Sequence, residues 1–167
     1  MKIPISFICT LFIAASFWGC QSSPNPLSEQ EKEVIEKEVR KAFDETTAAV
    51  NMHDADKIMQ ACWNDKDYFY AANGTLMNDW EANHEAATII HSNPKNQTYT
   101  VDYDEIIVKV LNRDAVMLVG KGAFINILTE DGIKSVDLVV TFLMEKINNE
   151  WLITIGHEST GEAILIF

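Results

Sequence analysis

The side chains able to do chemistry are few. The chain of 167 residues carries 25 acidic and 13 basic groups, with three cysteines, four histidines and four tyrosines. Glu158 closes an apolar run, Trp151–Glu158. A carboxyl set against apolar walls is desolvated, which raises its pKa and makes a general base near neutral pH. Tyr68 and Tyr70 are hydroxyl donors suited to a developing oxyanion. The plainer reading of Glu158 is a solvated strand end or a partner for a lysine. His84 and His91 share a helical face but stand two turns, ~10 Å, apart. That is too far for one metal ion, and no histidine at i+4 supports a site, so no metal is expected. Cys62 stands alone after Ala61 and reads as a small buried hydrophobe rather than a nucleophile. Asp102 and Asp104 flank Tyr103 and, turned outward, are simply solvated. The chain has no Ser/His/Asp triad, phosphate loop or paired carboxylates at a recognisable spacing, and no cofactor is expected.

Cys20 has a different chemistry. It ends a leader in which Lys2 supplies a positive start and Ile3–Trp18 is almost unbroken apolar sequence. A run of about 16 residues is short of the ~20 a spanning helix needs. It fits the h-region of a secretory signal, with Gly19 as the small residue before the cut. Gly19-Cys20 resembles the lipobox of bacterial lipoproteins, in which the cysteine becomes the lipidated N-terminus; Phe17 and Trp18 depart from that motif. The alternatives are an ordinary cleaved signal and an uncleaved anchor. The expected division is a signal peptide over 1–19, a lipidated Cys20 with a Pro-containing tether over 20–27, and one domain over 28–167. The expected location is the bacterial cell envelope, with the domain facing the periplasm or exterior and touching the membrane through its anchor only.

Removal of the leader leaves about 147 residues, enough for a single core. A net charge of −12 repels phosphate and argues against nucleic acid and anionic lipid surfaces as partners. With Cys9 in the leader and Cys20 lipidated, Cys62 has no intrachain partner for a disulfide.

The elements that must position these groups follow from pattern. Ser28 and Glu31 form a capping box opening a helix whose stripe is Ile35, Val39, Ala42, Phe43, Thr46 and Val50. Asp54 caps a second, short helix through Cys62. Asn73-Gly74 between Tyr68–Ala71 and Thr75–Met77 predicts a hairpin. Asp79 caps a third helix to about Ser92, where Pro94 stops it. Four strands follow: 98–111, 115–128, 133–146 and 151–158. Their short turns predict antiparallel neighbours, and Gly120 and Gly122 predict a bend. Helices followed by a long meander imply an α+β sandwich with the sheet curled around amphipathic helices. The tail, Thr160–Phe167, is expected to join the sheet edge or cap a pocket.

This order resembles the nuclear transport factor 2-like superfamily, and within it the SnoaL-like group and the association domain of calcium/calmodulin-dependent kinases. The resemblance rests on His53-Asp54-Ala55-Asp56 with the Tyr/Phe hairpin, on Gly74-Thr75-Leu76-Met77 leading into the third helix, and on Thr141–Lys146 leading to Trp151 and His157-Glu158-Ser159. It implies a cone: a curved antiparallel sheet wrapped around three N-terminal helices, enclosing a pocket, with the outer sheet face often forming a dimer. Carrying over the kinase-domain pocket positions that match Phe142 and Glu158 points Leu138, Val140, Phe142, Thr154 and Glu158 inward. Lys121 lies near a third such position. The arginines of that pocket are missing here. Tyr70 and Trp80 belong to an aromatic group, with Trp63, Tyr68 and Phe69, at the expected pocket mouth. Trp151, Ile153, Ile155 and His157 are expected to alternate outward.

Because this fold hosts many functions, the pocket must decide. Two readings stand. One is a binding or assembly module that holds a small apolar ligand or a partner, as a homodimer. The other is an enzyme of the isomerase, dehydratase or cyclase kind with Glu158 as base.

Overall fold

A computed structural model of the chain describes residues 26–94, 99–129 and 132–161; the side chains of 124–129 and 133 are not described. The leader with Cys20, and the tail beyond Gly161, lie outside the described residues. Helix α1 (Glu29–Asn51) starts at the capping box: Ser28 Oγ accepts from the Glu31 amide, and the Glu31 carboxylate accepts from the Ser28 amide. These bonds, with the Arg113 guanidinium, hold Glu31 at a pKa of about 2. Ile35, Val39 and Phe43 recur every fourth position and are buried, so one stripe of α1 faces inward.

Helix α2 (Ala55–Gln60) follows, capped by Asp54, then the hairpin β1 (Phe69–Ala72) and β2 (Thr75–Met77). Asn73 and Gly74 both have positive φ, 47° and 86°, as a two-residue primed turn requires. Helix α3 (Trp80–Ser92) is capped by Asp79. Four strands follow among the described residues: β3 (Thr100–Asn112), β4 (Ala115–Thr129), β5 (Gly132–Ile147) and β6 (Glu150–Thr160). The sheet order is β2-β1-β6-β5-β4-β3. The meander is antiparallel as its turns predict, but β1 adds to β6 in parallel, which makes the sheet mixed.

The inner face is built in rows across β3–β6. Ile106, Gly120, Val140 and Glu158 form one, Val108, Leu118, Phe142 and Gly156 the next, and Val110, Val116, Met144 and Ile153 the third. Alternate rows, such as Ile107, Val119, Thr141 and His157, face outward. Two irregularities shape this sheet. On β3 the pairing shifts between Tyr103 and Glu105, beside Gly122, where an added Cβ would strike the Asp102 carbonyl oxygen. On β6 it shifts at Thr154, so that Leu143 pairs with Ile155 but Met144 with Ile153.

The shift at Thr154 corrects two expectations. Strict alternation puts Thr154 in the pocket and Ile153 outside. A bulge adds one residue and reverses the parity beyond it. Ile153 is therefore inward and only 3% exposed, and Trp151 is buried as well. Thr154 is buried but lies outside the cavity lining, its hydroxyl donating to the Leu143 carbonyl. The segment after α2 reinforces this irregularity: the Ile153 amide donates to the Ala61 carbonyl, and Trp63 donates back to Ile153.

Candidate functional site

The curved sheet and the three helices leave a cavity of about 430 Å³ between them. Its sheet side is Leu138, Val140, Phe142 and Ile153; its helix side includes Phe43, Met59, Ala86 and Ile90. The hairpin forms part of the rim, where Asn73 and Thr75 are exposed. The lining is mainly apolar, as small-molecule pockets are, with a few convergent polar groups.

The first of these groups is Glu158 with Tyr70. Tyr70 Oη donates to Glu158 Oε2 at 2.8 Å. Local backbone explains why they meet. Parallel pairing sets Tyr70 opposite Gly156 and Ala72 opposite Glu158. The Tyr70 ring lies over Gly156, where any Cβ would collide with Tyr70 Cδ2. Glu158 keeps partial surface exposure, yet burial of its carboxyl raises its pKa above the ordinary 4.5, against the opposing pull of the Tyr70 hydroxyl and of His157. Burial, then the Glu158 charge, raises Tyr70 well above its ordinary range. The same two causes act on Tyr99 and Tyr103, which places both rings within electrostatic reach of Glu158. Tyr103 lies over Gly120, whose added Cβ would approach its ring to 2.9 Å.

A second group lies deeper. Asn83 donates to the Tyr68 hydroxyl, and both residues are buried. Cys62 lies beside them with its thiol pushed up to about 11 by burial, so it is a packed thiol rather than a nucleophile. The third group is His53, His91 and Tyr99. The two Nδ1 atoms stand 3.3 Å apart, and the Tyr99 hydroxyl is 3.4 Å from His91 Nδ1. One histidine must donate and the other accept. Burial, then His53, lowers His91 to about 4, so it is neutral at pH 7.

Other candidates fall elsewhere. Lys121 is exposed on the outer face, in register with Glu105 and Val139, because the inner positions of that strand are the glycines on either side. Trp80 is half-buried outside the cavity lining, with Nε1 donating to the Met59 carbonyl and its ring stacked on His84. His84 pairs with Asp56 at 2.8 Å. His157 is exposed on the outer face, and Asp102 and Asp104 are exposed as well. Among the described residues no three His, Cys, Asp or Glu side chains group as a metal ion requires.

The sequence reading missed Asn83, Tyr99 and Tyr103 as cavity groups and His53 as the partner of His91 behind the lining, and took His91 only as half of a failed metal pair. A polar residue on an otherwise apolar helix face was the available signal for Asn83 and His91. Nothing local joins His53 to His91, which are 38 residues apart.

No protein-family profile matches the chain, and no curated protein matches it in sequence. Solved structures do. An NTF-2 like protein of unknown function from Shewanella oneidensis is 25% identical over 75% of this chain and 98% of its own, with a TM-score of 0.62. The chain has the nuclear transport factor 2-like fold. A nuclear transport factor 2-like superfamily protein from Salmonella enterica is 15% identical over 80% of this chain and 95% of its own, at a TM-score of 0.63. LinA is 14% identical over 81% of this chain and 92% of its own, at 0.68. At such identities these last two likenesses concern the fold alone.

The histidine cluster predicts an acid-sensitive step in stability. His91 has a folded pKa below the ordinary 6.5, near 4. The unfolded chain therefore takes up this proton first, and stability present above pH 6.5 is lost as pH falls toward 4. Urea unfolding at pH 7, 5.5 and 4.5 should show a steeper decline in the wild type than in His91→Gln. Parallel declines would remove His91 as the cause.

Proposed function

We propose that this chain is a small-ligand-binding domain, anchored to the bacterial cell envelope through Cys20, whose cavity takes a largely apolar molecule and fixes one polar end at Glu158. The observation that carries the reading is the Glu158–Tyr70 pair set into an otherwise apolar cavity. Apolar walls give affinity by excluding water, at about 25 cal/mol per Å² of surface removed from it. A single buried polar pair gives orientation. The anchor rests on the leader and on Gly19-Cys20.

A second reading is favoured by the same pair. A carboxyl with a raised pKa is suited to remove a proton from a carbon acid, with a tyrosine hydroxyl to steady the oxyanion that forms. Tyr70 already donates to Glu158, so Tyr103 is the better candidate donor: its hydroxyl makes no hydrogen bond to another described residue. Isomerase, dehydratase or cyclase chemistry belongs to this reading.

We further propose self-association through the outer sheet face. Ile107, Met117 and Val139 are 52%, 40% and 38% exposed there, and they are apolar side chains on a face that strand register keeps turned from the core. Sedimentation at micromolar concentration should give a dimer, and Met117→Glu should shift it to monomer. A wild-type monomer would contradict this proposal.

The cavity is tested with a neutral apolar fluorophore, N-phenyl-naphthylamine. It should bind the wild type with one-to-one stoichiometry and a blue-shifted emission. Ala86→Trp, which fills the cavity from α3, should weaken it at least tenfold. Equal binding by the two proteins would mean that the dye sits elsewhere and that the cavity is not a binding site.

A further inference from the structure

The cavity is not symmetrical in charge. Among the described residues that line it, Glu158 is the only acid and none is a lysine or arginine. His91, the histidine in that lining, is neutral at pH 7 because its pKa is held near 4. Thr46 and Thr47 already donate to the carbonyls of Ala42 and Phe43, and Tyr68 is engaged by Asn83. Of the two Glu158 oxygens, Oε2 accepts from Tyr70, whereas Oε1 has no hydrogen-bond partner and is not sealed off from solvent. A carboxylate taken out of water in this way costs free energy until a donor, above all a charged one, reaches its open oxygen.

The surroundings of that oxygen are aromatic. Tyr70 lies over Gly156 and Tyr103 over Gly120, on adjacent inner rows either side of Val140. Phe142 is 6.5 Å from the Tyr70 ring centroid, and Phe43 is 4.9 Å from that of Tyr103. Rings grouped near a carboxylate attract a cation through their negative faces, and more strongly when the site is desolvated. An anionic ligand would meet the opposite: a like charge, with no lysine or arginine among the described lining residues to offset it.

We infer that the polar end of the ligand is a protonated amine, seated on Glu158 Oε1 among Tyr70, Tyr103 and Phe142, with an apolar body filling the rest of the cavity. This deepens the binding reading above and rests on it. The chain's net charge of −12 favours approach of the same class of ligand from solution.

Three probes of one shape decide the matter on the purified full-length protein: 4-phenylbutylamine, 4-phenylbutanol and 4-phenylbutyrate. Calorimetry at pH 7 should give the amine at least tenfold tighter than the alcohol, with the acid weakest. Glu158→Gln should bring the amine to within threefold of the alcohol, and continued binding of the alcohol shows that the variant is folded. In the wild type the amine preference should shrink as pH falls from 7 toward 4.5 and Glu158 takes up a proton. This second measurement stands whether or not the variant folds. If the alcohol matches or exceeds the amine, or the preference survives both loss and protonation of Glu158, the amine inference is overturned and the cavity reading remains. If none of the three binds, the cavity reading itself fails.

Discussion

The hydrogen bond from Tyr70 to Glu158, 2.8 Å long, ties the β1–β2 hairpin to the last strand at the point where both reach the cavity. Much of the molecule serves to bring these two groups together. The tyrosine arrives on β1, which pairs with β6 in parallel across 88 residues of sequence. The ring needs the surface that Gly156 leaves bare. The carboxylate needs walls that keep water from relaxing its charge, and these are Val140 beside it and the helices over it. A neutral amide at the same position would cost far less to bury than a carboxylate, so an acid here is informative.

Sheet curvature is the second requirement, and backbone irregularity supplies it. Inner-face glycines at 120, 122 and 156 remove side chains where the sheet curves over the cavity, and two tyrosine rings occupy the space at 120 and 156. The bulge at Thr154 turns Ile153 into the cavity and leaves the row of Gly156 and Glu158 inward too. Without that extra residue, Trp151 and Ile153 would face solvent while Glu158 faced the cavity. The bulge lets an apolar strand start and a functional strand end share one face.

Local signals in the sequence were enough for the elements. Ser28 with Glu31, Asp54, Asp79, Asn73-Gly74 and the Pro94 stop each act through neighbouring atoms, and the helices and hairpin begin and end where those atoms require. The inward set Leu138, Val140 and Phe142 could be placed because β5 alternates regularly through them. Thr154 and Ile153 were misplaced because alternation holds only while register is unbroken, and bulges are fixed by partners far away in sequence; Lys121 was placed through the family resemblance, and regular alternation with Gly120 and Gly122 turns it outward. Trp80 was misplaced because its ring packs at a helix start, against Met59 and His84, rather than turning into the cavity. The His53–His91–Tyr99 cluster depends on three elements meeting, which no spacing records.

The binding chemistry of the cavity depends on the state of one carboxyl. Carbon-detected NMR titration of the Glu158 side-chain carboxyl, in the wild type and in Tyr70→Phe, reads it directly. Burial should place the wild-type midpoint above 4.5, and removing the tyrosine hydroxyl, which favours the charged form, should move it higher still. With the folded value raised, this carboxyl stabilises the fold most at low pH, and that contribution is lost as pH rises through the folded midpoint. A wild-type midpoint at or below 4.5, or one that Tyr70→Phe leaves unmoved, would contradict a desolvated Glu158 held by Tyr70.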